Sequence, residues 1–524
     1  AEWPIAGTTG YEFLNLAGGL FVDPEGEDML TQVYEDFTGE GADWHNLVHE
    51  CKRHVLTELL GSELTRLTSL FVAVCEKHRR HRDYTRHELY EALLETAVCF
   101  PVYRSYVSAR RNTVSHQDEQ HIARAIESAG ARQAELDPEL FVFLKELLQL
   151  NVAGPLENEL AMRFQQLTGP AMAKGVEDTA LYRFHRLAAL NEVGGNPVRF
   201  GVSLEQFHED CAAAQAEHPL ALLASTTHDT KRSEDVRSRL AVLSEIPGLW
   251  REAVIKWSKN NEQYRRGDIP ERNTEYLLYQ TLVGAWPIDE QRMAVYMEKA
   301  VREAKINTSW IMQNQDYERG LEGFIKAVLK DESFRAQIEG FVAEILAPGR
   351  INSLAQTLMK LTAPGVPDIY QGCELWDLSL VDPDNRRAVD FTLRRRLLQE
   401  LKDCSPEDIL AGMDEGLPKL WVIVKALHLR RSRPELFGPE GSYTALYAQG
   451  TKAGHAVAFV RGEGAVCVVP RLVVSLDGDW ADTKLELPCG YWHNIFTGDD
   501  TAGGPILLSE ILKRFPVALF EKRR

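Results

Sequence analysis

A change of apolar period near residue 440 divides this chain into parts that no single regular architecture accommodates. Before it, long stretches repeat their apolar residues every three or four positions, as amphipathic helices do. After Tyr443, runs such as Ala456-Val457-Ala458-Phe459-Val460, Val466-Cys467-Val468-Val469 and Val517-Ala518-Leu519-Phe520 stand between Gly- and Asp-containing turns. An all-β domain over 439–524 is therefore expected to follow a helical and α/β body. At 524 residues the chain exceeds what one core usually fills, so several domains are expected.

The helical texture is clearest from about Thr38 to Gln165. Within it Asp137 is placed to cap a helix with Pro138 at its first position, and Leu140, Phe143, Leu144, Leu147 and Leu148 share one face. The basic stretch His78 to His87, with Cys75 before it, matches no metal-ligand spacing and reads as a helix end or turn. Between Met172 and Leu240 short apolar runs alternate with polar, Gly-containing turns, the texture of strand ends and their loops. Pro247 to about Lys330 is helical again. Ser353 is the expected cap of a helix carrying Leu354, Leu358 and Leu361, ended by Ala363-Pro364-Gly365 before a short strand at Val366 to Tyr370. A last helix is expected to bury Leu420, Val424 and Leu427 before Pro434. The chain has no tandem repeat.

The net charge of −18 repels phosphate backbones and anionic headgroups, so neither nucleic acid nor a membrane is the expected partner, whereas a neutral sugar feels no such field. The eight cysteines contain no CxxC pair, and no metal or organic cofactor is indicated. With no apolar run near the roughly 18 residues a span needs and no signal-peptide pattern, the expected location is cytoplasmic. Ala1-Glu2-Trp3-Pro4 runs at once into Gly7-Thr8-Thr9-Gly10-Tyr11 and reads as a cut edge.

Three clusters carry candidate chemistry. In Ala224-Ser225-Thr226-Thr227-His228-Asp229-Thr230-Lys231-Arg232, an apolar run from Leu220 to Leu223 feeds a His-Asp pair. A carboxylate there can accept from two neighbouring sugar hydroxyls, more strongly as the ring gains oxocarbenium charge, and His228 can donate to the same ring. The competing reading makes Asp229 a cap of the next helix. In Met172 to Arg183, followed by Asn191-Glu192-Val193-Gly194-Gly195, Lys174 beside Gly175 can offer an ammonium to a hydroxyl, while Glu177 and Asp178 equally suit the acidic first turn of a helix. In Pro364 to Trp376 paired prolines and glycines fix the backbone and set Tyr370, Glu374 and Trp376 at a rim, where a ring can face a pyranose. Arg386 and Arg387 beyond it read first as structural bridges.

Pro364-Gly365-Val366-Pro367-Asp368-Ile369-Tyr370-Gln371-Gly372-Cys373-Glu374 is similar to the eighth-strand signature of the α-amylase superfamily, and Thr227-His228-Asp229 to its seventh-strand motif. More narrowly, Gly7 to Tyr11, Met172 to Thr179, His228 to Arg237 and Asp382 to Arg387 together resemble the maltooligosyl trehalose synthase family, over essentially the whole chain. The resemblance implies α/β architecture: an incomplete (β/α)8 barrel with two helical insertions and a C-terminal all-β domain. The expected segments are barrel at 1–37, 166–245 and 346–438, helical insertions at 38–165 and 246–345, and the β domain at 439–524.

The implied activity is an intramolecular transfer that turns the reducing-end α-1,4 bond of a maltooligosaccharide into an α,α-1,1 bond. Asp229 then matches the carboxylate that stabilises the transition state, and His228 its neighbour at the same subsite. Lys174, Lys231, Arg232, Tyr370 and Glu374 are the expected substrate contacts. The resemblance assigns the nucleophile Asp and acid/base Glu to the fourth and fifth barrel strands, ahead of Gly7. Neither Glu2 nor Glu12 matches them, so the isolated chain is expected to be inactive and to need an N-terminal segment or chain. An open barrel also exposes apolar edges, which predicts poor solubility or strand exchange. The alternatives are a hydrolase or another transglucosidase of the superfamily, and a non-catalytic glucan-binding subunit.

Overall fold

The computed structural model describes residues 5–523; Ala1 to Pro4, where the sequence suggested a cut edge, lie outside them. The chain forms two compact units.

The first comprises Asp43–Phe184 with Val301–Ile311. Its helices begin where polar side chains satisfy the free N–H groups of a first turn. Asp43 caps Trp44–His54, Thr85 and Glu88 form a reciprocal capping box on Arg86–Val98, and Ser115 and Asp118 do the same on His116–Arg132. Asp137 caps Pro138–Leu148 as its sequence predicts, and Leu140, Phe143, Leu144, Leu147 and Leu148 are all buried, joined by Phe141. These faces meet Leu64, Phe71, Leu93 and Phe164 in one helical core. The basic stretch after Cys75 is a short 3-10 turn, Arg79–His81; His78 pairs with Glu157 at 2.9 Å and His81 stacks on Phe143. The helix Pro155–Met172 continues into a π turn, Ala173–Glu177. Glu177 and Asp178 thus end a helix rather than begin one.

The second unit comprises Ile5–Ala42, His185–Ala300 and Met312–Arg524. Strands β1 (Leu222–Leu223) and β2 (Val366–Pro367) pair in parallel, Leu222 opposite Val366 and Leu223 opposite Pro367. The Leu222 N–H donates to Thr8 O at 3.2 Å, which sets the Gly7 to Gly10 segment beside β1. Only glycine fits there. Gly10 has φ 92°, and a Cβ on it would lie 2.5 Å from Ala224 N and 2.6 Å from Leu222 O.

The strand texture expected over 172–240 is realised only as β1. The remainder is 3-10 turns and the helices Leu204–Glu217 and Glu234–Ala241, because short apolar runs do not distinguish a strand from a buried turn of helix. Ser353 does not cap a helix. It lies inside one of 31 residues, Glu332–Thr362, which Asp331 caps and which runs through the expected segment boundary at 345/346. That helix does end at Ala363, and Gly365 at φ 133° turns the chain into β2. No helix among the described residues is long and apolar enough to cross a membrane.

The last helix, Leu417–Ser432, buries Leu420 but leaves Leu427 exposed, turning Trp421, Ile423, Ala426 and Leu429 inward instead. It is apolar nearly all round, so its periodicity left the buried face undetermined. The six-stranded sheet that follows is antiparallel: β3 (Tyr443–Leu446), β4 (Ala456–Arg461), β5 (Ala465–Pro470), β6 (Lys484–Asn494), β7 (Asp500–Leu507) and β8 (Ala518–Arg523), in the order β3-β4-β5-β8-β6-β7. One face packs Ala458, Val460, Val466 and Val468 on Trp480 and Trp492. The period of two turns Phe459, Arg461 and Cys467 to the other face.

Candidate functional site

β1 empties into a run of hydroxyl residues that bond to one another and to the adjacent backbone, which is why the chain turns here instead of extending. Asp229 N–H donates to Thr227 Oγ1 at 3.1 Å, and Thr230 Oγ1 donates to Thr227 O at 3.1 Å. Thr227 Oγ1 also lies 3.1 Å from Tyr11 Oη, so the Gly7 to Tyr11 segment supports the turn from one side. From the other side Asn385 Nδ2 donates to His228 O at 3.0 Å, and the Asn385 carbonyl accepts from Tyr370 Oη at 3.3 Å. His228 is exposed and Asp229 half-buried at the tip of this clamped loop. The next helix, Glu234–Ala241, has Ser233 at its N-cap position. Asp229 is therefore no helix cap, and the competing reading of it falls.

Behind the loop lies a buried ionic network. Glu192 accepts from Lys231 N at 2.7 Å and Arg232 N at 3.2 Å, and pairs with Arg237 at 3.3 Å. Arg237 also donates to Ser225 O and Arg232 O. Lys419 Nζ lies 2.7 Å from Glu234 Oε1 and 2.8 Å from Asp235 Oδ2, while Lys360 Nζ lies 3.2 Å from Glu234 Oε2 and 2.6 Å from Ser225 Oγ. Ser353 donates to Asp235 from the long helix. Burial pushes the Glu234 carboxyl up, but the Lys360 and Lys419 charges overcome it and hold the group well below the usual carboxylate range. For Asp235 burial wins, and its pKa is raised despite Lys419.

Glu192, Glu234 and Asp235 fall within segments that the sequence singled out, without a role of their own, while Lys360 and Lys419 did not stand out. The signal present was a lysine inside an apolar run, in Leu358-Met359-Lys360-Leu361 and again in Leu417-Pro418-Lys419-Leu420-Trp421, since a fully buried lysine requires a partner.

No family model matches the chain. Over 98% of its length it is 36% identical to a Mycobacterium tuberculosis protein described as a candidate maltooligosyl trehalose synthase, and it spans 63% of that relative. The structure of maltooligosyltrehalose synthase from Arthrobacter ramosus superposes with a TM-score of 0.87 at 36% identity, covering 99% of this chain and 64% of that one. A hypothetical maltooligosyl trehalose synthase from Sulfolobus tokodaii gives 0.78 at 28% identity, covering 99% and 64%. The chain is homologous to the maltooligosyl trehalose synthases.

Of the residues which the resemblance to maltooligosyl trehalose synthases singled out, the structure brings His228, Asp229 and Tyr370 together through Asn385. Lys231 and Arg232 follow on the same segment but are buried, Arg232 Nη2 donating to Tyr296 Oη at 3.0 Å. Glu374 is held by Arg394 at 2.8 Å, and Trp376 Nε1 donates to Met413 O at 2.6 Å. Arg386 pairs with Asp382 at 3.5 Å and Arg387 with Asp384 at 3.2 Å, bridging their own loop. Lys174 belongs to the first unit, where its half-exposed ammonium lies 2.6 Å from Asp178. Among the described residues one group has ligand atoms close enough for a metal: His49, Glu95 and Cys99 of the first unit. Glu95 there already bonds His49 at 2.5 Å and Arg53 at 3.0 Å, an arrangement of an ion pair rather than of a metal site.

Proposed function

We propose that this chain supplies the transition-state-stabilising half of a maltooligosyl trehalose synthase active site. The reaction moves a glucosyl linkage within one maltooligosaccharide, from the reducing-end α-1,4 bond to an α,α-1,1 bond. The observation that carries the proposal is the clamped Thr227-His228-Asp229 turn, which presents a carboxylate and an imidazole beyond the end of a strand in a chain homologous to that family. We place β1, β2 and the Gly7 to Gly10 segment in a (β/α)8 barrel. Their support is the parallel register and their side-by-side order.

Cleavage of the α-1,4 bond leaves the donor ring flattened and positively charged. A carboxylate fixed at Asp229 accepts from the ring hydroxyls, and those bonds tighten as the charge develops, so the turn favours the transition state over the bound substrate. His228 donates from the same turn. The released glucose must rotate and present its anomeric hydroxyl before water arrives, which requires an acceptor side rich in donors. Glu192 fixes the Lys231 and Arg232 N–H groups and the Arg237 guanidinium, and so holds the segment that follows the turn. The nucleophilic carboxylate and the acid/base carboxyl come from outside these 524 residues.

In the enzyme containing this chain, Asp229→Asn should lower kcat on maltopentaose by about 10²-fold or more with the thermal midpoint unchanged; near-normal turnover would remove Asp229 from the mechanism. Loss of reducing ends with a non-reducing product marks transfer, whereas accumulating glucose would mark hydrolysis. The 524 residues alone should yield no trehalosyl product, and full conversion would refute the assignment of the other two carboxylates.

A further inference from the structure

The C-terminal sheet carries positive charge that the sugar site does not use. Arg461, at the end of β4, is fully buried, and none of its three guanidinium nitrogens has a hydrogen-bond partner among the described residues. A bare cation in a low-dielectric interior is strongly unfavourable unless something compensates it.

The neighbours do not. Arg461 faces Tyr443 across the β3–β4 ladder, and burial, with the nearby Arg430 charge, lowers its pKa. Burial pushes the Cys211 thiol up to about 12 and the Tyr443 phenol well above its ordinary value, so both are neutral at physiological pH. Tyr443 Oη is engaged with His208 Nδ1 at 2.7 Å. Arg430 adds a second cation. It donates to Leu361 O at 3.0 Å and Gly365 O at 2.9 Å and packs on Phe437, yet forms no ion pair among the described residues. Two guanidinium charges therefore lie near one another, neither ion-paired to a carboxylate among the described residues; Glu521, in line with Arg461 through Ala465, pairs with Arg433.

We propose that the face of the sheet bearing Phe459 and Arg461 encloses a small monovalent inorganic anion, of halide class, seated on the Arg461 guanidinium and within the field of Arg430. The aromatic and aliphatic walls supplied by Phe459 and Val457 favour a weakly hydrated single charge over phosphate or sulfate, whose second charge costs far more to take out of water. Because Arg430 also holds Gly365, the residue that turns the chain into β2, the bound anion would brace the strand leading to Tyr370.

The test is thermal unfolding of the protein in sodium chloride or bromide against sodium gluconate at matched ionic strength. The midpoint should rise saturably, by roughly 2 °C or more, with the halides and not with gluconate. Arg461→Met keeps the side-chain bulk and removes the charge, and should unfold cooperatively without that response. Cys211→Ser should retain it. No halide response in the parent protein, or an equal response in Arg461→Met, would overturn the proposal. A halide response that appears only in Cys211→Ser would also overturn it, by making a thiolate the counter-charge of the parent protein. Should the Met variant fail to fold, anomalous scattering from bromide-soaked crystals decides, with a peak at the Arg461 guanidinium expected and none refuting the site.

Discussion

Lys419 is the residue on which the scaffold behind the His228-Asp229 turn should depend most, and its removal can be worked through. Its side chain is fully buried, with the ammonium 2.7 Å from Glu234, 2.8 Å from Asp235 and 3.3 Å from the Leu375 carbonyl. With Lys360 the four groups sum to zero charge; Lys419→Met leaves two adjacent buried carboxylates and one ammonium. At an effective dielectric near 20, each contact close to 3 Å has a gross attraction of roughly 5–6 kcal/mol. Desolvation of both partners offsets most of it, and removing one member of a buried pair costs about 3–5 kcal/mol net. That is a large part of a typical stability of about 5–15 kcal/mol. Urea unfolding followed by circular dichroism at pH 7 measures the loss. The double variant Lys419→Met with Asp235→Asn restores neutrality and should recover about 2 kcal/mol of it. The sign of the pH dependence follows. In Lys419→Met burial and the Glu234 charge act on Asp235 against the Ser353 hydrogen bond, and raise its folded pKa further above the unfolded value near 3.9. The deficit is then complete above that folded pKa and narrows as pH falls toward 4. A loss under about 1 kcal/mol, or a deficit that does not shrink in acid, would refute the account of this network.

Two further perturbations separate backbone from charge. Gly10→Ala should destabilise by roughly 3 kcal/mol, combining a left-handed residue with overpacking against Ala224 and Leu222, whereas Gly39→Ala, at φ 73° with open space around it, should cost only about 1 kcal/mol; equal losses in denaturant unfolding would remove the close approach of Gly10 to β1 as the cause. His208 is buried beside Tyr443, and burial lowers its pKa to about 4. The unfolded chain then binds more protons between pH 4 and 6.5, so stability should fall by about 3 kcal/mol across that window on acidification. His208→Gln should flatten this part of the pH–stability curve, and an unchanged slope would contradict it.

Local signals were legible in the sequence where the deciding interaction is itself local. Asp137 and Pro138 start a helix because the cap bond spans two residues, and Gly365 breaks one because its conformation needs no distant partner. The short apolar runs after Tyr443, set off by Gly- and Asp-containing turns, became strands, although their order in the sheet, with β5 beside β8, is set by pairing far along the chain. Ser353 failed as a cap because nothing within a few residues records that the helix begins at Glu332, with Pro348 inside it. Leu427 failed because the helix that carries it has apolar residues on nearly every side, so its buried face is chosen by what packs against it.

The site divides along the same line. His228-Asp229-Thr230-Lys231-Arg232-Ser233-Glu234-Asp235-Val236-Arg237 is continuous as a motif, yet its parts do different work. The first two residues stand at the tip of the turn, half-buried or exposed. From Lys231 onward the segment is buried, and Glu192, Lys360 and Lys419, each from a different part of the chain, bind it. In the proposed mechanism, a carboxylate at Asp229 that grips a sugar ring only as charge develops on it has to be held in place before the substrate arrives. The turn around Asp229 is short and polar and cannot supply that rigidity. The ionic network beneath it can, and the longer part of the motif is buried in that network.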